Sequence, residues 1–451
     1  MFLSKTFGMR GICPDDKKNP INKKNIESAD IPNVAYIPVC QHYGTPAKII
    51  VKPGDIVEEG QLIAVADGDI SANVHASIPG VVREIKEVYI SNGKKSEAVV
   101  IELGGTFSKS GKVIQLNDWL SMTKEDLLEK IVEYGIIGHG GSAFPEGKKL
   151  EYALRNGTTT LIVNGAESEP YLTSDHRLLL EKTEGILVGI QIINKILEAK
   201  NIFIAVENNK RDAIRRLRVL CANRYPYKTV SLKVKYPQGN EHQLVKAVVG
   251  KIIPGNENVQ DYGITVINAA TLIAVKNAVV NDKPMIERVV TVSGAGVLHP
   301  KNLIVRIGTP IGDIIEECGG FTGKIAKVVV GGPMRGYAQK DLQTPVTKDV
   351  SGILCITNEE SSHFKKNGIC INCGKCVGAC AEGLMPSLLV KYISYKHYDL
   401  AYENGLENCK ECGACAWICP AKIPLVQQIQ FGKNICRNQK KLLKAYKRSE
   451  T

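Results

Sequence analysis

No apolar run in this chain of 451 residues reaches the roughly 18 to 20 residues needed to cross a bilayer. The best stretch, residues 185–197, is broken by Gln191, Asn194 and Lys195. A spanning helix is therefore not expected, and the sequence reads as a soluble or peripheral protein. Aromatic residues are few at 6%, including 2 tryptophans. No stacking platform or reading motif accompanies the positive charge, so nucleic acid is the partner class the sequence supports least. The opening Met1-Phe2-Leu3-Ser4-Lys5 lacks the form of a cleavable signal. Disulfides belong to oxidising compartments and to small domains that need staples, so the 14 cysteines point elsewhere.

Eight of them form two tandem quartets, Cys370, Cys373, Cys376 and Cys380, then Cys409, Cys412, Cys415 and Cys419 followed by Pro420. Structural zinc favours paired Cys-x-x-Cys units across a spacer, often with histidine. Each quartet here is a triplet plus one, the spacing of two 4Fe–4S clusters. In two-cluster ferredoxins the fourth cysteine of each run ligates the other cluster. The expected sets are Cys370, Cys373, Cys376 and Cys419 for one, and Cys409, Cys412, Cys415 and Cys380 for the other. Cys13, Cys40, Cys221, Cys318, Cys355 and Cys436 are scattered and read as idle or buried thiols.

At 44% hydrophobic content the chain can fill about three to five domain cores. Formal net charge is +12, and part of it falls on Lys433, Arg437, Lys440, Lys441, Lys444, Lys447 and Arg448. This tail is either a solvated terminal helix or a surface for an anionic leaflet or an acidic redox partner.

Short alternating segments near 30–105 are punctuated by Pro53-Gly54-Asp55, Glu59-Gly60 and Pro79-Gly80 and read as strands. Thr123 and Asp126 form a capping pair before Leu127, Leu128, Ile131 and Val132, which recur at helical spacing. A glycine-rich loop follows, Gly138 to Lys149. Glycines let backbone amides converge on an anion, and a following helix adds its positive end. The loop fits neither the Walker spacing nor the dinucleotide fingerprint, and turn glycines alone are common. Its company strengthens it. The apolar Leu161-Ile162-Val163 runs into the polar turn Asn164 to Pro170, and Ile264 to Ile267 into Asn268-Ala269-Ala270-Thr271. Helices around 184–199 and 210–221 alternate with the strands 202–206 and 229–234. This βαβ pattern predicts a parallel sheet with ligands at its carboxyl edge.

The stretches Val51-Lys52-Pro53-Gly54-Asp55 and Val74-His75-Ala76-Ser77-Ile78-Pro79-Gly80 resemble the biotinyl and lipoyl barrel-sandwich fold. The hairpin Asp67 to Ala72 lacks the carrier lysine, which implies a structural or docking barrel. The glycine loop and the acidic turn are similar to those of the flavin- and NADH-binding subunit of respiratory complex I. Carried across, Gly138, Gly140, Gly141 and Lys149 would hold the FMN phosphate and ribityl chain. Asn164, Glu167, Gly239, Asn240, Glu241, Asn268 and Thr271 would line the flavin. Phe144 would stack on the nicotinamide nucleotide, Glu169 would bind its ribose, and Tyr152 would stand as a second aromatic. The chain departs from that pattern at His139, Ala166 and Asn240.

Short strands at 289–293, 303–306 and 326–330 around a helix from 311 to 318 resemble a β-grasp (SLBB-like) domain. The order of domains, with Arg10-Gly11-Ile12-Cys13-Pro14 near the start, resembles the RnfC family of the Rnf-type ion-translocating electron transport complexes. The fold class implied is multidomain α/β and α+β. Its expected divisions are an N-terminal arm (1–29), a barrel-sandwich hybrid (30–105), a Rossmann-like FMN/NADH-binding α/β domain (118–285) and a β-grasp domain (286–356). A helical ferredoxin-like dicluster domain (360–432) and the basic tail (433–451) complete it.

The resemblance implies a peripheral subunit on the cytoplasmic side of a prokaryotic membrane, moving electrons between NAD(H), FMN and two 4Fe–4S clusters. Its partners would be the other subunits of the complex and, indirectly, ferredoxin. Glu241 and Glu169 would orient the nucleotide as the catalytic residues. Two other readings stay open, a soluble flavin and iron–sulfur cobalamin reductase and a non-catalytic one-electron relay.

Overall fold

The computed structural model describes residues 4–107, 117–222, 224–361 and 368–449, with side chains as far as residue 438. A parallel sheet organises the α/β domain. Its strands lie in the order Lys228–Leu232, Asn201–Glu207, Thr160–Gly165 and Ile264–Asn268. Alternation along Thr160–Gly165 sends Leu161 and Val163 into one core and Ile162 into another. The first core is covered by helices that include Lys124–Glu133, Thr183–Leu197 and Ala269–Asn281. The second is covered by Glu241–Val249 and by Phe7 of the N-terminal arm. Thr123 caps its helix as the sequence suggests, its side chain accepting from the Asp126 N–H while Asp126 answers at the cap N–H.

The chain runs outward from Thr160–Gly165 through two strands, then returns to lay Ile264–Asn268 on the other side. This reversal is a topological switch point, where the crevice of an open α/β sheet forms. Asn164 and Asn268 are register partners at that edge. The expected parallel sheet is present, and the helix Ser174–Glu181 is an addition the sequence pattern did not announce.

Before this domain stand two small sheets that enclose one core. They are Val34–Pro38, Lys95–Leu103, Gly80–Tyr89 and Ile56–Val57, and Lys48–Ile49, Leu62–Val65 and Val74–His75. After it comes a six-stranded sheet in the order Ile26–Ser28, Lys301–Arg306, Glu287–Ser293, Gly352–Thr357, Ile325–Val330 and Tyr337–Ala338. The N-terminal arm is thus woven into two domains. Ile26–Ser28 extends this sheet, and Lys5 and Ile12 bridge to Leu232 and Tyr236 at the edge of the parallel sheet.

Lys348 is fully buried where barrel, α/β and β-grasp domains meet, its Nζ donating to Asn73 O at 2.8 Å and Gly135 O at 2.7 Å. Burial pushes its amine down to about 7. Arg306 and Glu59 form a second, ionic junction between barrel and β-grasp domain at 2.8 Å.

The C-terminal module repeats a loop and a short helix, Lys375–Ala379 and Ala414–Ile418. Gly374 and Gly413 take the same left-handed step before each helix, and Asn372 and Glu411 match one another two residues earlier. The basic tail continues the long helix Leu425–Ser449. Lys433 is not on a solvated face, because helical periodicity turns it inward. Its Nζ donates to Cys409 O at 2.6 Å and to Glu411 at 2.8 Å. Arg437 pairs with Glu407 at 3.1 Å, and the side chains of Lys440, Lys441, Lys444, Lys447 and Arg448 lie outside the described residues.

Candidate functional site

The switch point opens into a cleft of about 1430 Å³ walled by all four domains. Asn164 and Asn268 shape its floor. Asn268 caps the helix behind it, accepting from Ala270 N at 2.8 Å and donating to Asp175 at 2.7 Å. Asn164 reaches across to Gly239 O at 2.9 Å. The glycine loop closes on itself through Gly138 N donating to Phe144 O at 2.8 Å. A Cβ on Gly140 would meet nothing nearer than Asn268 Cβ at 4.0 Å, so the loop leaves open space over the floor. Gly141 needs its glycine for another reason, a φ of +88°.

Lys149 lies under this loop, paired with Glu146 at 2.7 Å and donating to Val266 O at 3.0 Å. Burial pushes the Glu146 carboxyl up, and Lys149 opposes that shift. Phe144 stacks on Tyr43 of the barrel with ring centroids 6.0 Å apart. The barrel therefore docks on the glycine loop, through this pair and through Tyr43 N donating to Ala143 O at 2.9 Å.

The acidic turn faces both ways. Glu167 turns inward, accepting from Asp175 N at 2.7 Å and meeting Lys18 of the arm, whose Nζ donates to Glu167 O at 2.5 Å. Burial pushes its carboxyl up, with Lys18 and Lys210 pulling back. Glu169 turns toward the β-grasp and cluster modules. It accepts from Met334 N at 3.1 Å, and the Tyr236 hydroxyl lies 3.2 Å away. Burial raises its carboxyl against the Met334 N–H and the Arg335 charge. Glu241 opens the helix Glu241–Val249, and its carboxyl too is raised by burial, against the Lys149 charge. Beside it, Asn240 makes no capping bond, and its Oδ1 is a buried acceptor with no partner.

Gly138, Gly140, Gly141, Phe144, Lys149, Tyr152, Asn164, Glu167, Glu169, Gly239, Asn240, Glu241 and Asn268 all line this one cleft. Tyr152 stands at its rim with its hydroxyl tied to Asp261 at 2.5 Å. Thr271 does not reach the cleft. It is buried behind the loop, where its Oγ1 accepts from His139 N at 3.0 Å. Sequence reasoning missed Tyr43 from the barrel and Arg288 and Arg335 from the β-grasp domain, which complete the walls. A signal existed for Arg335, the run Gly331-Gly332-Pro333-Met334-Arg335-Gly336 directly after a strand. The open glycine cradle, the unpartnered Asn240 acceptor and the half-buried Lys149 suit a flavin mononucleotide, with its phosphate and hydrogen-bonding ring.

The eight quartet cysteines divide between two cavities. Cys370, Cys373, Cys376 and Cys419 line an outer one of about 120 Å³. Cys380, Cys409, Cys412 and Cys415 line a tighter inner one of about 20 Å³. The fourth cysteine of each run thus crosses to the other set. Among the described residues no group of three or more His, Cys, Asp or Glu side chains is placed to hold a single ion. A structural zinc needs four ligands about one centre, whereas each quartet here surrounds a cavity, an arrangement suited to a multi-iron body. Burial pushes the Cys412 thiol up to about 11 and raises Cys380, Cys409 and Cys415 as well. Metal binding must displace those protons.

Cleft and inner quartet share a wall. Pro237, Asn240, Lys410 and Cys412 line both. Tyr236 spans the same partition, donating to Cys412 O at 2.6 Å beside Glu169. The outer quartet lies further out, with Cys370 and Cys373 exposed.

Comparison with known proteins agrees domain by domain. Residues 6–106 match the RnfC barrel sandwich hybrid domain and 131–277 the Nuo51 FMN-binding domain. Residues 289–338 match the SLBB domain and 368–423 the 4Fe-4S dicluster domain. The RnfC-type member of the proton-translocating ferredoxin:NAD(+) oxidoreductase complex of Clostridium ljungdahlii is 40% identical over 84% of this chain and 82% of its own length. Its counterpart in the ion-translocating oxidoreductase complex of Rhodobacter capsulatus is 39% identical over 95% and 83%. The counterpart in the Na(+)-translocating ferredoxin:NAD(+) oxidoreductase complex of Acetobacterium woodii is 35% identical over 94% and 95%. Among solved structures, a chain of an NAD+-reducing NiFe hydrogenase shares the fold, with a TM-score of 0.51 at 17% identity over 68% of this chain and 63% of its own. The expected four-domain fold is the one observed, and with relatives at 35 to 40% identity along most of its length the chain belongs to the RnfC family of ion-translocating oxidoreductase complexes.

Proposed function

We propose that this chain carries electrons between NAD(H) and a membrane complex, through FMN in the cleft and then the inner and outer 4Fe–4S clusters. The observation that carries this reading is the partition of Pro237, Asn240, Lys410 and Cys412, which separates cleft from inner quartet by the thickness of single residues. Bound FMN would supply the exchange between a nicotinamide, which gives two electrons as hydride, and clusters that accept one at a time.

The chain's own residues hold and orient. Gly138, Gly140 and Gly141 would present amides to the flavin phosphate, with Lys149 beneath as countercharge. The Asn240 acceptor and Asn164 would fix the ring. Glu241 and Glu169 would position the nucleotide against it, and Phe144 would stack on its base. Cys370, Cys373, Cys376 and Cys419 would ligate the outer cluster, and Cys380, Cys409, Cys412 and Cys415 the inner one. The outer quartet, exposed at Cys370 and Cys373, is where a partner would exchange electrons.

No helix of the described residues is long and apolar enough to cross a membrane. The relatives are named as subunits of ion-translocating complexes; ion passage is accordingly assigned to other subunits, and this one is placed peripherally on the cytoplasmic side as part of the same proposal. Anaerobic stopped-flow spectroscopy of the purified chain tests the reading. NADH should bleach flavin and iron–sulfur absorbance in succession. Flavin that stays oxidised under NADH, with clusters that dithionite still reduces, would select the relay reading instead.

A further inference from the structure

The cations of the cleft are mostly spoken for. Lys148 pairs with Glu151 at 3.0 Å, Lys149 with Glu146 at 2.7 Å and Arg437 with Glu407 at 3.1 Å. Lys410 donates to Gly255 O at 2.7 Å, and Arg288 to Lys348 O. Two arginines are different. Arg155 and Arg335 are exposed, line the cleft and make no hydrogen bond or ion pair among the described residues, and of the two only Arg335 also sets its charge against the buried Glu169.

Its position is nonetheless built. The turn that carries it closes through Gly336 N donating to Gly332 O at 2.8 Å and is pinned by Met334 N on Glu169. Glycine is needed on both sides of the seat. A Cβ on Gly332 would stand 2.1 Å from Glu169 Oε2, and one on Gly413 2.6 Å from Met334 O. The turn is therefore wedged between the acidic turn and the Cys412 loop. From that seat Arg335 extends over the glycine loop, with Nη1 3.3 Å from where a Cβ on Gly141 would be.

A dinucleotide entering here brings a pyrophosphate past Glu169, Asp175 and Glu241, three carboxylates that repel it. Within the glycine loop Lys148 and Lys149 already have carboxylate partners, and His139 turns to Thr271, its Nδ1 3.3 Å from Thr271 Oγ1. A guanidinium presents five donors in a planar fork that matches phosphate oxygens. We propose that Arg335, delivered across the cleft by the β-grasp domain, binds the pyrophosphate of the dinucleotide. The proposal rests on the reading of the cleft as a nucleotide site and adds a residue from a domain outside the α/β fold.

The test is calorimetric titration of the full chain, loaded with flavin and clusters, using ADP-ribose, which carries the pyrophosphate without a reactive ring. Adenosine serves as the phosphate-free control. R335A should weaken ADP-ribose about ten- to a hundredfold, the range of a charge-assisted hydrogen bond, and leave adenosine binding and flavin content as they are. R335K, which keeps the charge without the fork, should recover part of the loss. Unchanged ADP-ribose affinity in R335A, or an equal loss for adenosine, overturns the proposal. So does a loss of flavin from R335A with ADP-ribose affinity per flavin site unchanged, which would put the guanidinium on the flavin phosphate above Gly141. A wild-type chain that holds flavin but fails to bind ADP-ribose overturns the nucleotide reading itself, and with it this role.

Discussion

Replacing Tyr236 with phenylalanine removes one oxygen from the partition between cleft and inner quartet. Tyr236 is 2% exposed, and phenylalanine keeps its ring packing against Ile12, Ala379 and Ala414. The hydroxyl has one proton and two neighbours. The Cys412 carbonyl at 2.6 Å takes it, with Glu169 the more distant at 3.2 Å. Glu169 keeps the Met334 N–H as donor, whereas the Cys412 carbonyl is left without this partner. A stranded buried acceptor costs about 1 to 3 kcal/mol, so local opening of the Cys412 loop becomes roughly 5- to 150-fold more frequent, at 1.4 kcal/mol per factor of ten. Hydrogen exchange by mass spectrometry reads this directly. Protection of the peptide covering 410–418 should fall by about an order of magnitude in Tyr236→Phe, while the matching peptide at 371–379 is unchanged. Equal protection in both proteins would refute the claim that Tyr236 fastens the loop. An equal fall in both peptides would refute its locality.

Lys149 neutralises Glu146, whose side chain is 0% exposed, and breaking a buried pair by removing one partner costs about 3 to 5 kcal/mol. Lys149→Met should lower both melting temperature and flavin affinity. Lys149→Met with Glu146→Gln should recover the melting temperature but not the flavin, as thermal scans and flavin fluorescence will show. Burial holds His75 down to about 3, against about 6.5 when unfolded. A group whose folded value is depressed in this way resists protonation in the fold, so its contribution is intact above pH 6.5. It drains away below that, at up to about 1.4 kcal/mol per pH unit. Between pH 7.5 and 5.5 the melting temperature of His75→Phe, which keeps a ring against Tyr134, should fall less steeply than that of the wild type; parallel curves would contradict the assignment.

Local signals carried much of the architecture. The capping pair at Thr123 and Asp126, the apolar core of Thr160–Gly165 and the cysteine spacing each lie within a few residues, where periodicity and turn chemistry are visible. What escaped was long-range. Ile26–Ser28 joins a strand that begins at Lys301, and a three-residue strand has too few positions to show alternation. Gly352–Thr357 is buried at every position, so it shows no alternation either, and the β-grasp sheet was read without its central member. The site followed the same rule. Residues in the glycine loop and acidic turn were legible, but the partner of Glu167 is Lys18, and Phe144 meets Tyr43. Both lie more than a hundred residues away, and both depend on how domains dock. Lys433 was read by composition as part of a basic tail; only the packing of the helix Leu425–Ser449 shows that it turns toward Cys409.

The central claim is an order, cleft first, inner quartet second, outer quartet third. Electron paramagnetic resonance of anaerobic, NADH-treated Cys412→Ser and Cys373→Ser proteins tests it most directly. With the outer cluster disrupted by Cys373→Ser, NADH should still reduce the inner one at the wild-type rate. With the inner cluster disrupted by Cys412→Ser, flavin should be reduced while the outer cluster stays oxidised until dithionite is added, which also proves that it is present. Reduction of the outer cluster by NADH in Cys412→Ser at the wild-type rate would contradict the account.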